Sequence, residues 1–178
     1  MTSDLPERLK AAIRDIPDFP KPGILFRDIT TLLLHPKLFA ESVDALWEPF
    51  AAQRVTHLAA LEARGFLFAS AITVRVGVPL VLMRKPGKLP SEHLTEEYDL
   101  EYGSAALEVH TDAFRPGDRV VVVDDLLATG GTAAAAGRLV RACGAELVAY
   151  AFLAELDFLN GREQLGDGTI HSLVHYED

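Results

Sequence analysis

The 178-residue chain is short of several things, and each shortage narrows what it can be. It holds one cysteine, Cys143, so no internal disulfide can form, which fits a reducing compartment. Cys143 reads instead as a small apolar residue near a helix end. Basic side chains are outnumbered: 17 Lys and Arg stand against 26 Asp and Glu, a formal net charge of -9. Nucleic acid is therefore not an expected partner, because backbone phosphates require a basic face. A few local cations still suffice for a small anionic ligand. No apolar run approaches the length of a membrane span, so no membrane partner is expected either. The opening residues MTSDLPERLK are polar and carry acids, unlike a signal or transit peptide, and the expected compartment is the cytoplasm. Among the six histidines only His171 and His175 have His-x3-His spacing; they sit near the C-terminus at strand spacing with no cysteine beside them, so no metal site held directly by protein side chains is expected.

What the chain does have is two strand–helix–strand patterns. Before them, Asp4 with Glu7 makes a capping-box-like start, and Leu5, Leu9 and Ile13 form one stripe, predicting a helix over about residues 4–15. Residues 17–23 are too rich in proline for regular structure. A second helix starts near Pro36, with Phe39, Val43, Leu46, Trp47 and Phe50 at helical spacing, so Trp47 reads as core. Residues 55–61 then read as a buried strand, 65–76 as a buried helix capped by Gly77, and 79–84 as a strand. The second unit places a strand at 119–123, an alanine-rich helix at 131–143 capped by Gly144, and a strand at 146–153. Residues 170–176 supply a further edge strand. Such units pair their strands in parallel with right-handed crossovers. Residues 86–115 contain no convincing helix, and a connection that long acts as a lid or stays disordered. Within it, residues 105–110 alternate enough for a strand at the lid base. The fold class is α/β, a mostly parallel central sheet flanked by helices, whose ligands sit at the carboxyl ends of the strands.

The chemistry concentrates in residues 120–132. Four valines deliver Asp124 and Asp125 to the sheet's carboxyl edge, and a turn, Thr129-Gly130-Gly131-Thr132, opens the next helix. Its glycines let successive N–H groups converge, the helix N-terminus adds partial positive charge, and the threonines add hydroxyl donors. Those features suit one phosphate group. The acids would repel a second phosphate there but would accept hydrogen bonds from a vicinal diol, or share a divalent cation. Capping and turn duty accounts for one of the two acids more easily than for both. A second anion site is offered by Glu62-Ala63-Arg64-Gly65 at the same edge, although Arg64 could simply pair with Glu62. Arg84, Lys85 and Lys88 end the following strand, either as a solvated basic loop or as part of that site. A ribose phosphorylated at both ends, such as phosphoribosyl pyrophosphate carrying Mg2+, meets all three requirements.

Residues 120–132 resemble the phosphoribosyl-pyrophosphate signature of the type I phosphoribosyltransferases. Phe19-Pro20-Lys21-Pro22-Gly23, Phe26-Arg27-Asp28-Ile29, Glu62-Ala63-Arg64-Gly65-Phe66, Gly87-Lys88-Leu89-Pro90 and Leu100-Glu101-Tyr102-Gly103 narrow the resemblance to the adenine-specific members. It runs nearly end to end. It implies one domain, with a small N-terminal hood over about residues 1–34 and a flexible lid over about 86–105. It implies that Asp124 and Asp125 hold the ribose hydroxyls while Ala128, Thr129, Gly130, Gly131 and Thr132 cradle the 5′-phosphate. Glu62, Ala63, Arg64 and Lys85 would contact pyrophosphate, across a cis Glu62–Ala63 bond. Adenine would lie against Phe26, its edge read by backbone groups of Leu25 and Arg27. Lys88 and Tyr102 would belong to the lid, and Glu101 would handle the proton on the base or stabilise positive charge on it. The implied partners are adenine, phosphoribosyl pyrophosphate, AMP and pyrophosphate, the implied cofactor Mg2+ bound through pyrophosphate, and the implied assembly a homodimer. Two alternatives stay open: a transferase for another base such as hypoxanthine, xanthine or orotate, and a non-enzymatic sensor of phosphoribosyl pyrophosphate.

Overall fold

The computed structural model describes residues 4–99, 104–166 and 168–177. Helix α1 (Leu5–Ala12) begins where Asp4 accepts a hydrogen bond from the Leu5 amide at 2.9 Å. It stops three residues earlier than its apolar stripe predicts. Ile13 is already extended, and β1 (Arg14–Ile16) turns away to pair antiparallel with β2 (Phe26–Asp28). The following Pro17 favours this, since the residue before a proline avoids the helical region. The proline-rich stretch is thus the connection of a hairpin, which pairs Ile16 with Phe26 and Arg14 with Asp28 across it. Helices α2 (Thr30–Leu33) and α3 (Pro36–Trp47) follow, and Val43 and Leu46 of α3 are fully buried.

The two strand–helix–strand units form as their periodicities predict. Strand β3 (His57–Leu61), helix α4 (Gly65–Val76) and strand β4 (Leu80–Met83) make the first, with β3 and β4 parallel and Gly77 in the left-handed cap. Strands β5 (His93–Asp99) and β6 (Ser104–His110) come next. Strand β7 (Arg119–Leu127), helix α5 (Gly131–Ala142), and strands β8 (Glu146–Leu156) and β9 (Thr169–Tyr176) complete the chain. The central sheet runs β4-β3-β7-β8-β9, every described pairing in it parallel. Strands β7 and β8 run past their predicted ends, carrying both aspartates inside the ladder.

Alternation along β7 explains why its valine run is continuous. Val121 and Val123 face one core with α1, α3 and α4, while Val120 and Val122 face another with α5 and β6. A parallel sheet covered on both faces needs apolar residues at every position. The stretch expected as an irregular lid holds more order than its sequence suggests. Strand β6 was expected there, and β5 pairs with it antiparallel to make a ribbon. Reciprocal backbone bonds between Arg84 and Glu108, 2.9 and 2.7 Å, tie its base to the end of β4.

Candidate active site

Three turns meet at the carboxyl ends of the strands. The first follows β3. Its Glu62–Ala63 peptide is cis, as the resemblance implies. Glu62 does not pair with Arg64. Its Oε1 accepts from Lys88 Nζ at 2.5 Å and lies 3.4 Å from Arg84 Nη2, while Oε2 accepts from the Lys85 amide at 2.9 Å. Burial works to raise the Glu62 carboxyl, but these three donors win and hold it at about 2. Lys88, expected as a lid residue, therefore reaches back to the turn after β3. Arg84, not singled out alone by the sequence, joins it.

Arg64 turns the other way and connects the subsites. Its Nε lies 3.0 Å from Asp125 Oδ2, and its guanidinium carbon sits 5.4 Å from the centre of the Phe26 ring. That ring also packs edge-on against Phe19, centroids 5.2 Å apart. The hood aromatic, the arginine and the acid pair thus stand in one line. Leu25 remains exposed beside Phe26. The Arg27 side chain points elsewhere, bonded to Asp15 at 2.7 Å and stacked 3.9 Å over Tyr176. It fastens the hood hairpin to β9, which leaves its backbone as the part assigned to reading a base.

Asp124 and Asp125 end the valine run. Asp125 is 3% exposed, and its amide donates to Asp124 Oδ1 at 2.9 Å. Burial, then the adjacent Asp125 charge, pushes Asp124 well above the usual carboxylate range. Burial raises Asp125 as well, with Arg64 opposing it. A buried acid and a half-buried one side by side, with one guanidinium on Asp125, have unmet demand for hydrogen-bond donors or positive charge. Gly65 makes the close packing possible, since a Cβ there would lie 2.7 Å from the Val123 carbonyl oxygen and 2.9 Å from Asp124 Oδ1.

The third turn joins β7 to α5. Residues 126–133 and Asp124 line a small concavity of about 80 Å3, the size class of a single tetrahedral anion rather than a nucleotide. Gly130 caps α5 with φ 85°, a left-handed conformation that glycine adopts without a Cβ clash. The turn is backed by the 3-10 segment Gly161–Leu165, and a Cβ on Gly161 would overlap the Ala128 carbonyl oxygen. Arg162 anchors that segment by a fork onto buried Glu155, at 2.5 and 2.7 Å, and Ser172 donates to the same carboxylate at 2.6 Å. His175 Nδ1 lies 3.0 Å from Asp157 Oδ1 beside this group. With Arg162 and Ser172 already on Glu155, the cluster is a closed ion-pair network rather than an open ligand set. Neither Gly161 nor this network is recognisable in the sequence, because its partners meet only once β8, the 3-10 segment and β9 pack together.

Glu101 and Tyr102 lie outside the described residues. Lys85 is exposed, and it lines a cavity of about 420 Å3 with Glu97, Tyr98 and Ser104 of the ribbon. The lid base therefore stands over the cationic end of β4.

Known proteins share this fold and much of this sequence. The model of the phosphoribosyl transferase domain family matches residues 28–165. A relative from Anaeromyxobacter dehalogenans (strain 2CP-1), an adenine phosphoribosyltransferase, is 56% identical over 170 residues, covering 96% of this chain and 99% of its own. Among solved structures, the adenine phosphoribosyltransferase of Thermoanaerobacter pseudethanolicus superposes with a TM-score of 0.94 at 49% identity, covering 97% of this chain and all of the other. That of Saccharomyces cerevisiae, complexed with adenine and an imino-altritol 1,6-bisphosphate, gives 0.90 at 42% identity, covering 95% and 98%. The chain belongs to the adenine phosphoribosyltransferases, within the phosphoribosyl transferase domain family.

Proposed function

We propose that the protein transfers the 5-phosphoribosyl group of phosphoribosyl pyrophosphate to adenine, giving AMP and pyrophosphate. The observation that carries this is the line Phe26–Arg64–Asp125, which sets an aromatic base surface, a pyrophosphate-side cation and a diol acceptor side by side. The 5′-phosphate sits on the amides and hydroxyls of residues 128–132 at the start of α5. Asp124 and Asp125 accept the two ribose hydroxyls, which relieves their mutual repulsion. Adenine packs on Phe26, and backbone groups of Leu25 and Arg27 read its edge.

Adenine N9 forms the new bond to the anomeric carbon as the bond to the pyrophosphate oxygen breaks, with inversion. Positive charge grows on the sugar and is stabilised by Asp124 and Asp125, while negative charge grows on the leaving group and meets Arg64, Lys85 and Lys88. Glu101, on the lid, takes the proton released from the base. Mg2+ fits as a partner of the substrate's pyrophosphate: Glu62, the carboxylate at that turn, is already held by Lys88, Lys85 and Arg84, while the aspartates can share a cation. When bound, it supplies charge neutralisation for the departing group. Closure of the lid over residues 86–105 excludes water from the activated sugar. The protein works in the cytoplasm as a homodimer. Helix α4 supports the latter, exposing Leu67 and, at 87% relative exposure, Val74.

A turnover assay with phosphoribosyl pyrophosphate and Mg2+ tests the reading. AMP and pyrophosphate should appear with adenine, and no nucleotide with hypoxanthine, xanthine or orotate. A nucleotide from another base, or none from any, would overturn it.

A further inference from the structure

The ribbon of β5 and β6 meets the phosphate turn at one pair of hydroxyls. Thr132, the second residue of α5, donates to the Tyr98 hydroxyl at 3.0 Å. Tyr98 lies on β5, half-buried against the core beneath α5. Glu96, two residues earlier on the same strand, pairs with Arg138 Nε at 2.5 Å further along α5. The ribbon is thus pinned to α5 at two points, and Tyr98 is the point at the ligand end. Tyr98 also lines both neighbouring cavities, the one of about 420 Å3 that holds Lys85 and one of about 680 Å3 that holds Thr129 and Gly131. It therefore stands between the phosphate turn and the cationic end of β4.

A hydroxyl carries one hydrogen and two lone pairs. In the chain described above, Thr132 gives its hydrogen to Tyr98. A phosphate oxygen is a stronger acceptor than a phenol, so an arriving phosphate takes that hydrogen. The Thr132 oxygen can then accept the hydrogen of Tyr98. The chain Tyr98 O–H to Thr132 O–H to phosphate results, each bond polarising the next. We propose that Tyr98 is a positioning residue for the 5′-phosphate, acting through Thr132 and coupling the lid ribbon to the occupied phosphate turn. The proposal rests on the phosphoribosyl-transfer reading of that turn.

The test is steady-state kinetics of the full chain for wild type, Tyr98→Phe, Thr132→Ala and the double variant, with ribose 5-phosphate binding measured by calorimetry. Tyr98→Phe should raise KM for phosphoribosyl pyrophosphate about three- to tenfold, the range of one neutral hydrogen bond. KM for adenine and kcat should stay within about twofold, which a general loss of stability would not permit. In the Thr132→Ala background the same change should have no further effect. Ribose 5-phosphate should bind Tyr98→Phe more weakly by the same factor. Unchanged affinity for both sugar phosphates, an equal loss for adenine, or full additivity with Thr132→Ala would overturn the proposal. If wild type itself gives no AMP, the reaction assignment fails, and the ribose 5-phosphate comparison alone decides the role of Tyr98.

Discussion

Buried Asp125 pairs with Arg64, and half-buried Asp124 stands beside it. Such an arrangement costs stability in the free protein. The cost has a sign. Asp124 has a folded pKa raised above its ordinary 3.8, so it favours folding fully below that value and loses the contribution as pH rises through its folded pKa. Asp124→Asn removes the titration. Its melting temperature should therefore exceed that of wild type by a margin that grows from about pH 4 to about pH 8, at roughly 2–4 °C per kcal/mol. Unfolding scans of both proteins across that range check this, and a pH-independent offset would contradict it. Glu101 belongs to the same scale. Glu101→Leu should lower kcat by about a hundredfold or more, as loss of a general base does. Turnover within about twofold of wild type would remove it from the mechanism.

At the scale of elements, the turn between β7 and α5 is held from behind. The 3-10 segment Gly161–Leu165 leaves no room between Gly161 and the Ala128 carbonyl. Gly161→Ala should push that carbonyl aside, destabilise the fold by about 1–3 kcal/mol as overpacking does, and weaken ribose 5-phosphate binding. Thermal unfolding and calorimetry measure both, and unchanged binding would show that the turn holds its shape unaided. This contact also marks where sequence reading stops. Strands β3 and β7, helices α4 and α5, and the Thr-Gly-Gly-Thr turn are legible because each carries its signal locally, as an apolar run, a glycine cap or a strand–turn–helix switch. Arg64 is legible as a cation at the edge, but its choice of Asp125 over Glu62 depends on how two turns approach in space. Strand β5 does alternate, Leu94 and Tyr98 packing inward between exposed Thr95 and Glu97, yet its charges mask the pattern. The β1–β2 hairpin is hidden by its prolines.

For the molecule as a whole, the acidic balance and the anionic substrate are reconciled by placement. The chain carries nine more acids than bases, yet Arg64, Arg84, Lys85 and Lys88 gather at the ends of β3 and β4, where a parallel sheet exposes its ligand edge. The phosphate turn and the acid pair follow on β7, the strand beside β3, so one edge offers three kinds of contact in the order a doubly phosphorylated ribose needs them. The most direct test is the Michaelis constant of each substrate in the Asp124→Asn, Asp125→Asn double variant. The account expects KM for phosphoribosyl pyrophosphate to rise at least about tenfold, as when hydrogen bonds to charged groups are lost, with adenine within about twofold. An equal rise for both substrates, or none for the sugar, would contradict it.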